Sequence, residues 1–461
     1  MTTTPPLPRT LPAWIKALDD APLPAFAAVH GKVRLALRDA SKSMRQIAEL
    51  IQDSPVLALR FIQEANRGIG DGQPAESLEV ALSRIGLQRA EALLARIPAM
   101  EAQDMPRPLR QVVLISRHAS QQANGLFAAR LARLWQDIHW GSLLFLSPLW
   151  PLALTQPHLL EDWELRVIHK GESARTVEKQ LFGVRLLEIG LALVDLWHLP
   201  IWVQQGYRLL LTEQRELVKV LRIARDSEHP LRQQNRLDDD PTLRRWLNQP
   251  ANTVLLANGL ALSAHHAWDS PHSERWQYLT SLYLQIPMAE VQQQLHQQAA
   301  NSARYHAMPD LWHPAVALIW PWGTNPVHAG LQPAPAPTAE DLAKWRKQCA
   351  ELLVEPSRFT NAIHLTTSAR NALVACGMRR VMILMADRTH ANLRVHQTAG
   401  LPKEAAGLNF VVSQSTVLQR LLSQQAQLRL TRDYFDALAA GVATGLAAAA
   451  RGPARGGPIR P

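Results

Sequence analysis

Cysteine is nearly absent. Cys349 and Cys376 are the only two in 461 residues, too few for a disulfide framework or a thiolate metal cage, and such usage suits a reducing compartment. Charge is also scarce. Charged residues make up 19% of the chain against 47% hydrophobic, so there is ample apolar surface to bury and bulk disorder is excluded. Long apolar runs are lacking as well. The longest, Trp140 to Leu154, is interrupted by Gly141, Ser142, Ser147, Pro148 and Pro151 and falls short of the roughly 20 residues of a spanning helix. Met1 to Pro12 carries threonine and proline where an export signal needs basic residues and an apolar run. The expectation is a cytoplasmic protein with no membrane partner.

The common catalytic signatures are missing too: no Walker A phosphate loop, GxGxxG, HExxH, CxxC or GxSxG. Glu91-Ala92-Leu93 spells the name motif of cyclic-dinucleotide phosphodiesterases. It falls in a helical pattern without the further carboxylates that such a barrel places at its strand ends. Histidine is frequent, at 17, yet His265 and His266 are adjacent and point to different sides of a helix, where ligands should be three or four apart. His272, His296 and His306 are no better placed, and no paired carboxylates lie nearby for a hard metal. On spacing alone, no catalytic or metal-ligating residue is assigned, no cofactor is expected, and ligand-binding residues remain unassigned.

What is present is helix after helix. The length suits about three domains. Ser43 with Gln46 is a capping-box pattern before Met44, Ile47, Ala48 and Ile51. Ser54-Pro55 places a cap and a first-turn proline before Val56, Leu59, Ile62 and Ala65. Ser77 opens a third helix that Gly86 ends, before another run from Gln88 to Ile97. That turn also invites a DNA-binding helix-turn-helix reading, but the spacing is not the usual one and a plain helical hairpin is favoured. Val177 to Trp197 reads as one apolar core helix whose polar positions Glu178, Arg185, Glu188 and Asp195 collect on one stripe. Residues 216 to 320 read as polar helices. GLQPAPAPT, Gly330 to Thr338, reads as an extended linker. Beyond it come helices over Leu342 to Val354 and Thr360 to Cys376, then a strand, turn and strand over Val381 to Met385 and Leu393 to Thr398, which implies a small α/β domain. Ala439 to Pro461 is alanine-rich and then Gly/Pro/Arg-rich, which predicts fraying.

The net charge of +10 is uneven. Asp341 to Pro461 holds 16 Lys or Arg against 7 Asp or Glu, whereas residues 1 to 340 are close to neutral. The basic end could favour an acidic partner, protein or nucleic acid; the plainer reading is a solvated surface and tail.

Several segments, taken together and in order, resemble the HDOD domain. They are Leu23-Pro24, then Ile47 through Arg60 (IAELIQDSPVLALR), then Ala65-Asn66, and then Ser77 through Leu87 (SLEVALSRIGL). Glu178, Phe182-Gly183, Gly190 and Trp197-His198-Leu199-Pro200 are similar to its second block. The resemblance implies an all-helical relative of the HD metal-dependent phosphohydrolases that has lost its metal ligands, with a regulatory role. Phe145 and Leu146 stand where the ancestral His-Asp pair would fall, Leu186 where a histidine would follow Phe-Gly, and Leu209, Leu210 and Leu211 where the later histidines would lie. More weakly, Cys376-Gly377-Met378, Arg380 to Ala386, Asp387, Thr389 and Leu393 to Gly400 resemble a GAF domain.

The resulting map is an N-terminal extension (1–13), an HDOD helical domain (14–215), a helical extension (216–329), a proline-rich linker (330–340), a GAF-like α/β domain (341–438) and a flexible tail (439–461). The fold class expected is mainly α followed by a small α/β domain. The function expected is non-catalytic signal transduction through a protein partner or small ligand, with oligomeric state open. The alternatives are a divergent metal-dependent phosphohydrolase using unrecognised ligands from the histidines between His265 and His313, and nucleic-acid binding by the basic C-terminal section.

Overall fold

The computed structural model describes residues 7–69, 72–75, 77–127, 131–226, 230–319, 338–354, 356–378 and 380–423. The chain is mainly helical, with a small sheet near its C-terminal end. Its described residues divide into two compact units, one running to Leu318 and the other comprising Ile319 and the described residues from Thr338 onward. The proline segment 330–337 and the tail 439–461 lie outside the described residues.

The first unit opens with α1 (Leu11–Asp19) and α2 (Ala27–Arg38). Next come α3 (Met44–Gln52) and α4 (Pro55–Asn66). Local chemistry sets these boundaries. Ser43 and Gln46 close a reciprocal capping box, and Ser54 accepts from Leu57 N with Pro55 in the first turn. In α5 (Leu78–Ile85) Ser77 accepts from Val80 N, and Gly86, at φ 74°, ends that helix and begins α6 (Leu87–Arg96). Gly86 N also donates to Leu82 O at 2.8 Å, so the turn is closed by its own backbone. Two-residue strands β1 (Ala25–Phe26) and β2 (Ala99–Met100) pair in parallel. Glu91 lies on α6 and meets Arg38 of α2 at 2.5 Å, an exposed ion pair rather than a catalytic carboxylate.

A long helix, α7 (Arg107–Phe127), is the spine of the unit. It is followed by α8 (Trp135–Leu144), α9 (Leu149–Thr155) and α10 (Pro157–Trp163). Of the residues that break the 140–154 run, Ser147 and Pro148 lie between α8 and α9, Gly141 and Ser142 lie within α8, and Pro151 lies within α9 beside the fully buried Trp150. No described helix is long and apolar enough to cross a membrane.

The single helix expected over Val177–Trp197 is in fact two, α11 (Ala174–Leu181) and α12 (Leu186–Leu196). The break is at Gly183, φ 78°, where any Cβ would lie 2.3 Å from Arg9 O. Arg9 and Trp14 take the carbonyls freed there: Arg9 Nη1 donates to Gln180 O at 2.7 Å and Trp14 Nε1 to Phe182 O at 2.8 Å. A new cap follows, with Arg185 N–H donating to Glu188 Oε2. Next comes α13 (Ile201–Thr212).

The helical extension comprises α14 (Gln214–Asp226), α15 (Pro230–Asp238), α16 (Pro241–Leu247), α17 (Ala251–Ala264), α18 (Pro271–Leu284), α19 (Met288–His306) and α20 (Ala315–Ile319). Two apolar cores result. One holds α1–α6, the first half of α7 and much of α8, α9, α12 and α13, with Val254, Leu255 and Ala261 of α17; the other holds most of the extension with Ala123, Leu126 and Phe127 from the end of α7. α7 therefore serves both.

The second unit begins with α21 (Ala339–Leu352) and α22 (Ala362–Ala375). Its sheet joins β3 (Val381–Ala386), β4 (Asn392–Ala399) and β5 (Asn409–Val411) antiparallel in that order, before α23 (Thr416–Ser423). Asp387 fixes the β3–β4 turn by accepting from Thr389 N and Ala391 N. With Asn392 and Thr389 side chains also donating to it, its carboxyl is held down to about 2.

Between α10 and α11 the chain makes a π-helical stretch, Glu164–His169. Burial first, then the Glu161 charge, pushes the Glu164 carboxyl up from 4.5 to about 7. A raised carboxylate pKa means the folded state holds the proton more tightly than the unfolded one, so stability falls as pH rises from about 4.5 to 7. Glu164→Gln is expected to match the wild type near pH 4.5 and to be more stable by roughly 1–3 kcal/mol at pH 8. Urea melts at the two pH values check this; an equal difference at both would refute it.

Candidate functional site

Two constellations in the first unit bear on function. The first surrounds Phe145 and Leu146, both buried between α8 and α9. Phe145 stacks on Tyr207 of α13 with ring centroids 4.8 Å apart. Tyr207 Oη donates to Phe145 O at 2.9 Å, and burial raises the phenol's pKa, keeping it neutral. Two glycines make room for this pair. A Cβ on Gly206 would lie 2.7 Å from Phe145 Cε2, and one on Gly190 would lie 2.3 Å from Tyr207 Cε1. Leu186 and Leu209 are buried as well. The side chains of Phe145, Leu146, Leu186 and Leu209 offer no nitrogen or oxygen ligand, so these positions do not fit a metal ion.

Polar groups close by serve the fold. Glu178 accepts from Leu186 N and from Trp163 Nε1, each at 3.2 Å; burial raises its carboxyl against the pull of those two bonds. Asn66 is fully buried, donates to His198 O at 2.8 Å and accepts from Ala75 N at 2.6 Å. It thus ties α4 to the turn after α12, where His198 adopts φ 47°. Trp197 Nε1 reaches Asp19 Oδ1 at 2.6 Å.

The second constellation is a triangle of imidazoles: His118 in the middle of α7, His265 just past the end of α17, and His313 just before α20. Ring centroids are 5.1 to 5.4 Å apart, and one nitrogen from each ring lies within 4.8 Å of those from the other two. Exposures of 0%, 5% and 1% shut the rings off from solvent. His118 Nε2 meets Gln122 Nε2 at 2.8 Å, an amide that also donates to Leu295 O at 3.0 Å. His265 Nδ1 meets Gln111 Nε2 at 3.1 Å; that amide donates to Trp312 O and accepts from Trp312 N. His313 contacts Ser302 Oγ and Ala315 N, each at 3.2 Å. His118 Nδ1 and His265 Nε2 have no hydrogen-bond partner. Burial, then the neighbouring imidazoles, drives His118 and His265 well below the ordinary range. Burial, then His306, takes His313 down to about 4. All three are neutral at pH 7.

A family model described as the HDOD domain matches residues 23–208. Residues 23–208 are an HDOD domain. Solved structures with a similar fold include the MmoQ response regulator of Methylococcus capsulatus, 16% identical over 60% of this chain and 98% of that one, TM-score 0.39. A Campylobacter jejuni virulence factor is 14% identical over 54% of this chain and 95% of that one, TM-score 0.36. An HDOD domain protein of Geobacter sulfurreducens is 16% identical over 59% of this chain and 99% of that one, TM-score 0.24. A search of curated proteins finds no match.

The HDOD motif residues therefore do structural work: Asn66, Gly86, Gly183, Gly190 and Trp197 each hold a turn, a close approach or an interhelical bond. His118 belongs to the HDOD domain, whereas His265 and His313 belong to the extension. Linear spacing could not find this triangle, because it is made by α7 packing against α17 and the segment before α20. Of the histidines weighed from sequence, His265 and His313 enter it. His266 lies beside His169 instead, ring centroids 4.7 Å apart, and His296 edges onto Trp268.

Proposed function

We propose that the chain is a non-catalytic regulatory protein whose HDOD domain acts by binding a protein partner, with the small α/β unit as a GAF-like accessory module. The observation that carries this reading is the Phe145–Tyr207 stack. By the family resemblance it fills with carbon the place where the related hydrolases would hold their metal, and it is built in by two glycines. Activated water at a metal needs nitrogen and oxygen ligands, and the site offers only a neutral phenol already bonded to a carbonyl. The GAF-like assignment is supported by the three-stranded antiparallel sheet, with α22 facing it through Thr366 Oγ1 and His396 Nδ1 at 2.8 Å.

The purified full chain, incubated with nucleotides, cyclic dinucleotides or a generic phosphodiester in the presence of Mg²⁺, Mn²⁺ or Zn²⁺, is expected to release product no faster than a chain-free control. Chelator-sensitive turnover would overturn the reading. Capture of one specific protein at near-stoichiometric yield by the full chain, lost on unfolding of the HDOD domain, would support it.

A further inference from the structure

We propose that His118, His265 and His313 form a binding site for one divalent transition-metal ion of the zinc class, joining the helical extension to α7 of the HDOD domain. This goes beyond the regulatory reading and does not depend on it. Three imidazoles without a carboxylate among them suit zinc, cobalt or nickel and not magnesium or calcium. Two buried nitrogens without partners are costly to leave so, and a metal would use both.

Ligation has a definite structural requirement. Zinc–nitrogen bonds of about 2.0–2.1 Å set ligand nitrogens roughly 3.3 Å apart in a tetrahedron, so nitrogens now up to 4.8 Å apart must draw together. Each ring must also carry its proton on the outer nitrogen and find an acceptor there. For His265 the Trp312 carbonyl lies near the ring, and the 3.1 Å contact of Nδ1 with Gln111 Nε2 must open for Nδ1 to carry the proton. For His118 the acceptor is Gln122 Oε1, which is buried and unpaired; exchanging the two ends of that amide brings it onto Nε2 and gives up the Gln122 Nε2 bond to Leu295 O. His313 gives up one of its two 3.2 Å contacts, the longest in the cluster. The fourth position is left to water. Metal binding would therefore tighten α7, the end of α17 and the segment before α20 onto one point.

The test uses the full chain, stripped with a chelator and titrated with Co(II) and then Zn(II). Expected are one equivalent bound, a visible cobalt band of four-coordinate type, and a higher Tm with zinc. His118→Gln and His265→Gln, checked for cooperative melting, should bind at least about 100-fold more weakly, while His272→Gln, outside the triangle, should bind as the wild type does. X-ray absorption on the zinc-loaded wild type, which needs no variant, should count three imidazoles. No uptake by the folded chain, a first shell with fewer than three imidazoles, or undiminished uptake by a folded His118→Gln variant would each overturn the proposal. Turnover in the hydrolysis assay leaves this proposal standing, and failure here leaves the regulatory reading standing.

Discussion

Leu186→Asp is expected to abolish cooperative melting of the HDOD domain, or to lower its Tm by about 10 °C or more. Leu186 begins α12 and is buried. Its backbone N–H already donates to Glu178 Oε2 at 3.2 Å, so an aspartate would stand beside a buried carboxylate whose proton affinity burial has already raised. An unpaired buried charge costs about 3–5 kcal/mol, a large share of the roughly 5–15 kcal/mol that holds a domain, and like-charge repulsion adds to it. At 2–4 °C per kcal/mol for a unit of this size, the Tm shift follows. Leu186→Met should cost less than about 1.5 kcal/mol. The acid side gives a further check: protonation of either carboxyl relieves the repulsion, so the deficit should shrink as pH falls below 5. Thermal melts at about pH 4 and pH 8 decide the matter. A Leu186→Asp protein that melts as the wild type does would mean this position is hydrated, and the account of a carbon-filled relic site would fail.

Which parts were legible in the sequence follows from the range of the interactions that make them. Ser43 with Gln46, Ser54 with Pro55, and Ser77 with Gly86 act within four residues, and the helices they bound were readable from their own letters. Residues 177–197 were not. The 7, 3, 7 spacing of Glu178, Arg185, Glu188 and Asp195 runs in phase across the break, while the break itself is set by Arg9 and Trp14 reaching the carbonyls around Phe182 from the other end of the domain. Phe145, Leu146 and Leu186 could be singled out only by their place in a family pattern; that Tyr207 and two glycines complete the filling is a tertiary fact. The histidine triangle lies furthest from legibility. His118 is one imidazole in a long helix, and nothing near it in the chain marks it apart from any buried histidine. Its partners arrive only when the extension folds back along α7, which no local pattern specifies.

Substituting alanine for glycine should have opposite signs at two helical positions, and the contrast tests whether the Phe145–Tyr207 stack is as rigid as its geometry requires. At Gly31, within α2, an added Cβ meets nothing within 4 Å, so alanine gains helix propensity and stabilises by up to about 1 kcal/mol. At Gly190, within α12, the same atom would fall 2.3 Å from Tyr207 Cε1 and 3.0 Å from Cζ. Tyr207 cannot simply swing aside, since its ring is stacked on Phe145 and its hydroxyl is bonded to Phe145 O. Either the helices part, at about 1–3 kcal/mol for overpacking, or the ring moves and leaves a buried hydroxyl and carbonyl unpaired at a similar cost. Gly190→Ala is therefore expected to destabilise by roughly 2–4 kcal/mol. In a Tyr207→Ala background the clash is gone, so adding Gly190→Ala should cost less than 1 kcal/mol, a coupling of at least about 1 kcal/mol between residues on α12 and α13. Urea unfolding of the four chains of that cycle measures it. Additive losses would show that Tyr207 yields freely and that the Phe145–Tyr207 stack is soft, not rigid.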